Sequence, residues 1–390
     1  MEDFVFDGAT RVVFGRGKEQ EAGKEVARLG AKKVLVLYGQ GSVKKSGLLD
    51  RVFRSLKTEG IQYSELGGVA PNPKVALIRE GVKLGKQKGI ELVLAVGGGS
   101  VIDSAKGIAV GVPYDGDVWD FSEKKVAPQK ALPVGSVLTI PAAGSEASKY
   151  AVATSDDGPY PMKRDIVFVN NELIRPAFTI MNPELTFSLP PFQTACGVVD
   201  IIAHVIERYF TSVRDVELTD RLCEAVVKTV IHNAYIVMKD PTNYSARAEI
   251  MWAGSLAHND LLGTGRAPDF ASHMIEHELS AVYNMTHGAG LAIIFPAWAK
   301  HVYKHNLERF VQFATRVWNV EMNVFDPDSV AKEGIARLEQ FYKDMGLPTR
   351  LSEMKIPRDR FAEMAEKSVK LGSIKKMTTD DVQKIYELAY

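Results

Sequence analysis

Hydrophobic and polar positions change rhythm about halfway along the chain. Over the first half, short aliphatic and β-branched runs alternate with stretches of helical period. Arg11-Val-Val-Phe-Gly15, Lys33–Tyr38, Ile61–Leu66, Leu92–Val96 and Gly135–Ile140 predict strands, and Leu48–Lys57, Val75–Lys88 and Ser100–Gly111 predict helices between them. Such alternation predicts a doubly wound, mostly parallel α/β sheet. After the punctuation at Asn182-Pro183 and Leu189-Pro190-Pro191 long helical patterns take over: Phe192–Phe210, Asp215–Met238, Ala246–Leu262, Pro268–Ala281 and several more. The expected organisation is an α/β domain over residues 1–188 and an all-α domain over 189–390, without internal repeats.

Length and composition agree with two domains and narrow the function. A chain of 390 residues exceeds what one core fills efficiently. Lys plus Arg and Asp plus Glu both total 48, so no net field favours nucleic acid or an acidic membrane surface. No apolar stretch approaches the length of a membrane span, and the acidic start Met1-Glu2-Asp3 lacks a signal-like basic region. A cytoplasmic protein is expected. Two cysteines, Cys196 and Cys223, suit a reducing compartment and cannot form a thiolate metal site, so any ion must use nitrogen and oxygen ligands.

The sheet half carries three candidate nucleotide segments. Leu92–Val96 runs into Gly97-Gly98-Gly99-Ser100 and then a helix. Glycines there let backbone N–H groups approach a diphosphate, Ser100 suits a cap, and the helix N-terminus favours negative charge. The spacing is neither the G-x-G-x-x-G fingerprint nor a Walker loop. A second turn, Tyr38-Gly39-Gln40-Gly41-Ser42-Val43-Lys44-Lys45, has no acid to hold a ribose 2′-hydroxyl and suits the 2′-phosphate of NADP. The third, Thr139-Ile140-Pro141-Ala142-Ala143-Gly144-Ser145, can wrap the nicotinamide ribose and diphosphate, with Lys163 following in a polar segment.

The helical half holds the densest chemistry. Asp200-Ile-Ile-Ala-His204 puts a carboxylate and an imidazole one turn apart inside an apolar run, where a charge is costly unless paired or bound to a cation. His273-Met-Ile-Glu276-His277 and His287 place three of the chain's eight histidines in one short segment. On one unbroken helix His273 and His287 would stand roughly 21 Å apart, at about 1.5 Å per residue, so they meet only if the chain turns between them. Asn284 and Gly288 mark where that break is expected, giving a helix-turn-helix clasp around an ion.

These residues, with Phe14-Gly15, Pro71-Asn72-Pro73 and Gly97-Gly-Gly-Ser-Val-Ile-Asp103, resemble the iron-containing (group III) alcohol dehydrogenase family over nearly the full length, and within it the NADPH-linked aldehyde reductase and butanol dehydrogenase branch. The resemblance implies a metal held by Asp200, His204, His273 and His287, Fe2+ with Zn2+ as the alternative, and His277 as an active-site histidine outside the ligand set. It implies cofactor contacts at Asn72, Gly98, Gly99, Ser100, Asp103, Thr139 and Lys163. It favours NADP over NAD, because the branch's Tyr-Gly-Gly-Gly-Ser-x-Lys-Lys turn keeps its outer glycines at Gly39 and Gly41. One departure is Ala143, where relatives commonly carry Thr and so a hydroxyl near the diphosphate. The implied reaction is hydride transfer between the nicotinamide and a small primary alcohol or aldehyde such as butanol or butanal, in a homodimer. Three other readings use the same residues. His273-x-x-Glu276-His277 matches the H-x-x-E-H pattern of inverted zinc peptidases. A glycerol-type dehydrogenase or cyclising sugar-phosphate lyase fits the same scaffold, and a nucleotide sensor would bind NADP without turnover.

Overall fold

A computed structural model of the chain describes residues 1–368 and 372–390. It divides into two units, Gly8–Ser188 and Leu189–Tyr390, and the second also takes in Met1–Asp7. The division expected from the sequence places those first seven residues with the sheet. Instead Glu2 N donates to the carbonyl of Gly265 at 2.9 Å, tying them to the helical unit.

In the first unit, β1 (Arg11–Phe14), β2 (Lys33–Gly39), β3 (Gln62–Val69), β4 (Leu92–Gly97), β5 (Val134–Leu138) and β8 (Phe178–Met181) form one sheet in the order β1-β8-β5-β4-β2-β3, all pairings parallel. Helices α1 (Ala22–Arg28), α2 (Ser42–Lys45), α3 (Leu48–Thr58), α4 (Val75–Lys88), α5 (Gly99–Gly111) and α6 (Trp119–Ser122) connect the strands. The central strands are continuous apolar runs because both faces are covered. Val34, Val36 and Tyr38 pack with Val26, Val52 and Leu56 of α1 and α3, while the equally buried Leu35 and Leu37 take the opposite face by the two-residue period of a strand. Helix α5 lies against β4.

The chain steps outward from β2 to β3 and then returns to the other side of β2 as β4. The direction of winding therefore reverses between β2 and β4, and ligands of open α/β sheets bind outside the carboxyl ends of strands at such a reversal. Register pairs Tyr38 with Val96, so Gly39 and Gly97 end neighbouring strands at that point.

Two features were not expected. Strand β8 is only four residues, Phe-Thr-Ile-Met, too short to show a period, yet it is fully buried between β1 and β5. The polar segment around Lys163 is not a loop but an antiparallel hairpin, β6 (Val152–Ser155) with β7 (Met162–Asp165).

The helical unit contains α7 (Pro191–Tyr209), α8 (Glu217–Lys239), α9 (Tyr244–His258), α10 (Ala271–Tyr283), α11 (His287–Val302), α12 (Leu307–Arg316), α13 (Pro327–Asp344), α14 (Phe361–Lys367) and α15 (Thr379–Leu388). Pro191 opens α7, where a missing N–H costs nothing, and from Thr194 to Tyr209 every residue is buried. Such an all-round apolar helix needs partners on several sides, and α7 packs against α8, α9 and α11. The expected helix Ala246–Leu262 stops at His258, because Asp260 adopts φ +73° and Leu261–Gly263 form a separate 3-10 turn. Among the described residues no helix is long and apolar enough to cross a membrane.

Candidate functional site

Asp200 and His204 lie one turn apart on α7, both buried. His204 Nδ1 is 2.8 Å from the Asp200 carbonyl oxygen and 3.1 Å from its Oδ1. Helix α10 carries His273, Glu276 and His277, then ends where Asn284 turns left-handed at φ +50°. After Met285 and Thr286 the chain reverses and α11 starts at His287 itself, so the break falls where the sequence placed it.

Two glycines let α11 come in close. A Cβ on Gly288 would collide with the Cys196 carbonyl oxygen of α7, and a Cβ on Gly290 would lie 2.5 Å from Glu276 Oε1. The three helices thereby gather the four candidate ligands. His273 Nε2 and His287 Nε2 each stand 3.7 Å from Asp200 Oδ1. The His204 and His273 rings are 4.4 Å apart between centroids, those of His273 and His287 5.0 Å.

These residues fit an ion better than they fit one another. Asp200 Oδ1 and His273 Nε2 are buried and make no aligned hydrogen bond among the described residues. Their 3.7 Å separation is too long for one. It is close to the roughly 3.4 Å between two ligands that each lie about 2.1 Å from one tetrahedral ion. Ligand atoms of Asp200, His204 and His273 fall within 4.8 Å of one another, as do those of Glu276, His277 and His287.

Charge follows the same arrangement. Burial opposes ionisation of Asp200, but His204 and His287 beside it hold its carboxyl well below the usual range. Burial lowers His204. Burial would also lower His273, yet Glu207 and Asp200 outweigh it and raise it to about 9. Burial pushes Cys196, one turn before Asp200, up to about 12, which keeps it a neutral thiol at neutral pH.

Glu207, on α7, was missed by the sequence reading. It is fully buried, with Oε1 accepting from the His273 backbone N at 3.1 Å and Oε2 against His273 Nδ1. Its signal was present: it continues the Asp200/His204 face of α7 by a further turn. Glu276 contacts His287 Nδ1 and accepts from Ser280 Oγ at 2.5 Å. Its two carboxylate oxygens are engaged by His287 Nδ1 and Ser280 Oγ, an arrangement that supports His287 and speaks against the base role of the peptidase reading. His277 is buried too, its ring 5.6 Å from that of His287 and 6.4 Å from that of His273. His258 and Phe270 border the cluster at 4.3 Å and 6.4 Å from the His204 ring, whereas Trp252 is exposed.

In the sheet unit, Gly97, Gly98 and Gly99 form the turn from β4 into α5. None is left-handed; they are held by packing, since a Cβ would lie 2.5 Å from Val101 Cγ2 at Gly97, 3.1 Å from Ile140 Cβ at Gly98 and 3.3 Å from Ala143 Cβ at Gly99. Ser100 is not the cap: the helix begins at Gly99, Gly98 holds the cap position, and no side chain caps it. Thr139 N donates to the Gly97 carbonyl at 3.0 Å, joining the Thr139–Pro141 segment to this turn.

Asp103 and Ser145 are engaged inside the unit. Ser145 Oγ donates to Asp103 Oδ1 at 2.6 Å, and Lys106 Nζ donates to Ser145 Oγ at 2.9 Å and to the Tyr150 carbonyl at 2.7 Å. Lys106 has no exposed surface, and burial brings it down to about 8. Sequence reasoning passed over this lysine, although a charge within the apolar run Val101–Val110 was the same signal that marked Asp200. Lys163, expected in a polar segment and among the cofactor contacts, is buried on β7 and donates to Asn72 Oδ1 at 3.1 Å. Gly39, Gly41 and Ser42 lie at the open end of β2, where Lys44 Nζ sits 4.7 Å from the Tyr38 ring centroid.

Known proteins share this fold and much of this sequence. The model of the iron-containing alcohol dehydrogenases matches residues 9–183, and that of the C-terminal region of the same family matches residues 194–390. NADH-dependent butanol dehydrogenase A of Clostridium acetobutylicum is 37% identical over 396 aligned residues, spanning 100% of both chains. NADPH-dependent aldehyde reductase YqhD of Escherichia coli is 34% identical, again over 100% of both. The crystal structure of NADH-dependent butanol dehydrogenase A from Thermotoga maritima superposes with a TM-score of 0.95 at 38% identity, covering 100% of this chain and 99% of that one. The chain belongs to the iron-containing alcohol dehydrogenase family and is an NAD(P)-dependent oxidoreductase.

Proposed function

We propose that the protein interconverts small primary alcohols and aldehydes, of the size of butanol and butanal, with NADP(H) preferred over NAD(H) and with Asp200, His204, His273 and His287 holding a divalent iron that Zn2+ can replace. The observation that carries the metal assignment is the buried, unsatisfied Asp200 Oδ1 faced by the Nε2 atoms of His273 and His287 at 3.7 Å. When bound, the ion supplies Lewis acidity toward the substrate oxygen and the nicotinamide supplies or accepts the hydride. The protein's own residues do the rest. With an ion bound, Asp200 would bring one negative charge and the imidazoles, His273 included once its extra proton is released, would bring neutral nitrogens, a set that suits a first-row divalent ion. Phe270 and the His258 ring wall the centre, and the His277 imidazole takes or returns the hydroxyl proton. In the sheet unit, Gly98 and Gly99 bring backbone N–H groups and the α5 N-terminus to the diphosphate, and Thr139, Pro141, Asn72 and Lys163 border it.

Protein reconstituted with Fe2+ without air is expected to oxidise NADPH in the presence of C2–C8 aldehydes. Chelation should lower kcat by roughly 10³-fold, the worth of a Lewis acid supplying several kcal/mol at about 1.4 kcal/mol per factor of ten. Full activity in protein shown to be metal-free would overturn the metal role.

The NADP preference rests on the acid-free turn Gly39–Ser42 followed by two lysines. Gly39 is the residue to change, because an added Cβ would meet only ordinary contacts, 3.6 Å from the Val69 carbonyl oxygen and 4.0 Å from Val101 Cγ2. Gly41, at φ +137°, would be strained by any side chain. Gly39→Asp puts a carboxylate against the 2′-phosphate and is expected to reverse the ratio of kcat/KM for the two cofactors by roughly 10–100-fold, since juxtaposed like charges cost a few kcal/mol. A wild-type enzyme with the higher kcat/KM for NADH would show the turn to be misread.

A further inference from the structure

We infer that Glu207 and Glu276 are positioning residues that set the rings of His273 and His287 from behind, fixing which nitrogen each presents to the metal centre. The inference rests on the ligand assignment proposed above.

Both glutamates have no exposed surface, a strongly unfavourable state for a carboxylate unless it is paired. Each is paired with the Nδ1 of one candidate ligand. Glu276 Oε2 holds His287 Nδ1 while its Oε1 accepts from Ser280 Oγ at 2.5 Å. Glu207 Oε2 lies against His273 Nδ1 in an ion-pair contact, while its Oε1 accepts from the His273 backbone N at 3.1 Å and touches Ser272 Oγ.

A neutral imidazole carries one proton, and an acceptor at Nδ1 keeps it there, leaving the Nε2 lone pair for an ion. The observed directions agree: both Nε2 atoms face Asp200 Oδ1 at 3.7 Å. His204 meets the same requirement with the backbone, its Nδ1 lying 2.8 Å from the Asp200 carbonyl oxygen. His204 and His287 are thus held at Nδ1 by a hydrogen-bonding oxygen, and His273 by its ion-pair contact with Glu207. The backbone of α11 is also shaped for Glu276, because any residue but glycine at position 290 would bring a Cβ to 2.5 Å from its Oε1.

Co2+, whose visible absorption reports its ligand geometry, serves as the probe. Its affinity is measured by chelator competition for wild type, Glu276→Leu, Glu276→Gln, Glu207→Gln, His287→Ala and Asp200→Asn. Glu276→Leu is expected to weaken Co2+ binding roughly 10–100-fold and to change the absorption bands. Glu276→Gln and Glu207→Gln, which keep an oxygen for the Nδ1 proton, should recover part of that loss. NADPH binding without metal should stay as in wild type. If Glu276→Leu does not fold, the two Gln variants decide. Glutamate variants that bind Co2+ within threefold of wild type with unaltered bands, whatever their melting temperatures, overturn the positioning role. His287→Ala and Asp200→Asn separate the two levels: if they lose Co2+ while the glutamate variants keep it, only the positioning inference fails. If they too bind like wild type, the ligand assignment fails.

Discussion

His287→Ala protein is expected to emerge without bound metal, whereas His277→Ala should keep most of its metal and lose turnover. Both histidines lie close together, yet they stand differently toward Asp200. His287 directs Nε2 at Asp200 Oδ1 from 3.7 Å, and Glu276 holds its other nitrogen. Removing it takes away a proposed direct ligand, so the loss should exceed the roughly 10–100-fold that follows from disturbing a ligand's support. His277 has its ring 6.4 Å from that of His273 and is assigned the proton instead. Its removal should lower kcat by about 10²–10⁴-fold, the usual worth of a positioned acid or base, and flatten the pH profile. Metal stoichiometry of the two purified variants is the deciding measurement. A His277→Ala protein emptied of metal beside a fully loaded His287→Ala protein would reverse the assignment.

The second large effect is expected from a single methyl group. Gly288→Ala places a Cβ against the Cys196 backbone carbonyl, an atom that cannot swing aside, so α11 must move off α7. Overpacking of this kind costs about 1–3 kcal/mol or more. At about 2–4 °C per kcal/mol for a domain of this size, the melting temperature should fall by several degrees. The shift also moves His287 relative to Asp200, so metal affinity should fall with it. Gly263→Ala is the matched control, because its Cβ would come no closer than 3.7 Å, and only to the Arg208 side chain. Equal melting temperatures and metal contents for the two variants would show that the close approach at Gly288 is unimportant.

Much of this was legible in the chain because the strongest signals are periodic. Val75–Lys88 was read to the residue, and Leu48–Thr58 and Gly99–Gly111 to within one, since long amphipathic or apolar segments over-determine their own type. The turn between α10 and α11 was marked by Asn284, which takes the left-handed conformation a helix end needs. What escaped was either short or dependent on partners distant in sequence. Four residues of β8 cannot show a period, and Lys163 looks solvated until β6 is paired beside it. Glu207 and Lys106 are ordinary charged residues on paper. Only the helices and loops packed against them reveal that their charges have been withdrawn from water. Asp103 and Ser145 illustrate the converse, as polar side chains beside a glycine-rich turn that are occupied with each other and with Lys106.

Gly39 and Gly97 end adjacent strands at the same point of the sheet, yet their freedom to diverge differs sharply. At Gly97 a new side chain meets Val101 at 2.5 Å, so nearly every codon change there is filtered by the stability of the fold before function is tested. At Gly39 a new Cβ meets only ordinary contacts, and a side chain can be gained or lost while its packed neighbours stay where they are. Descent can therefore explore that strand end in single steps, without passing through poorly folded ancestors, while the turn beside it stays fixed.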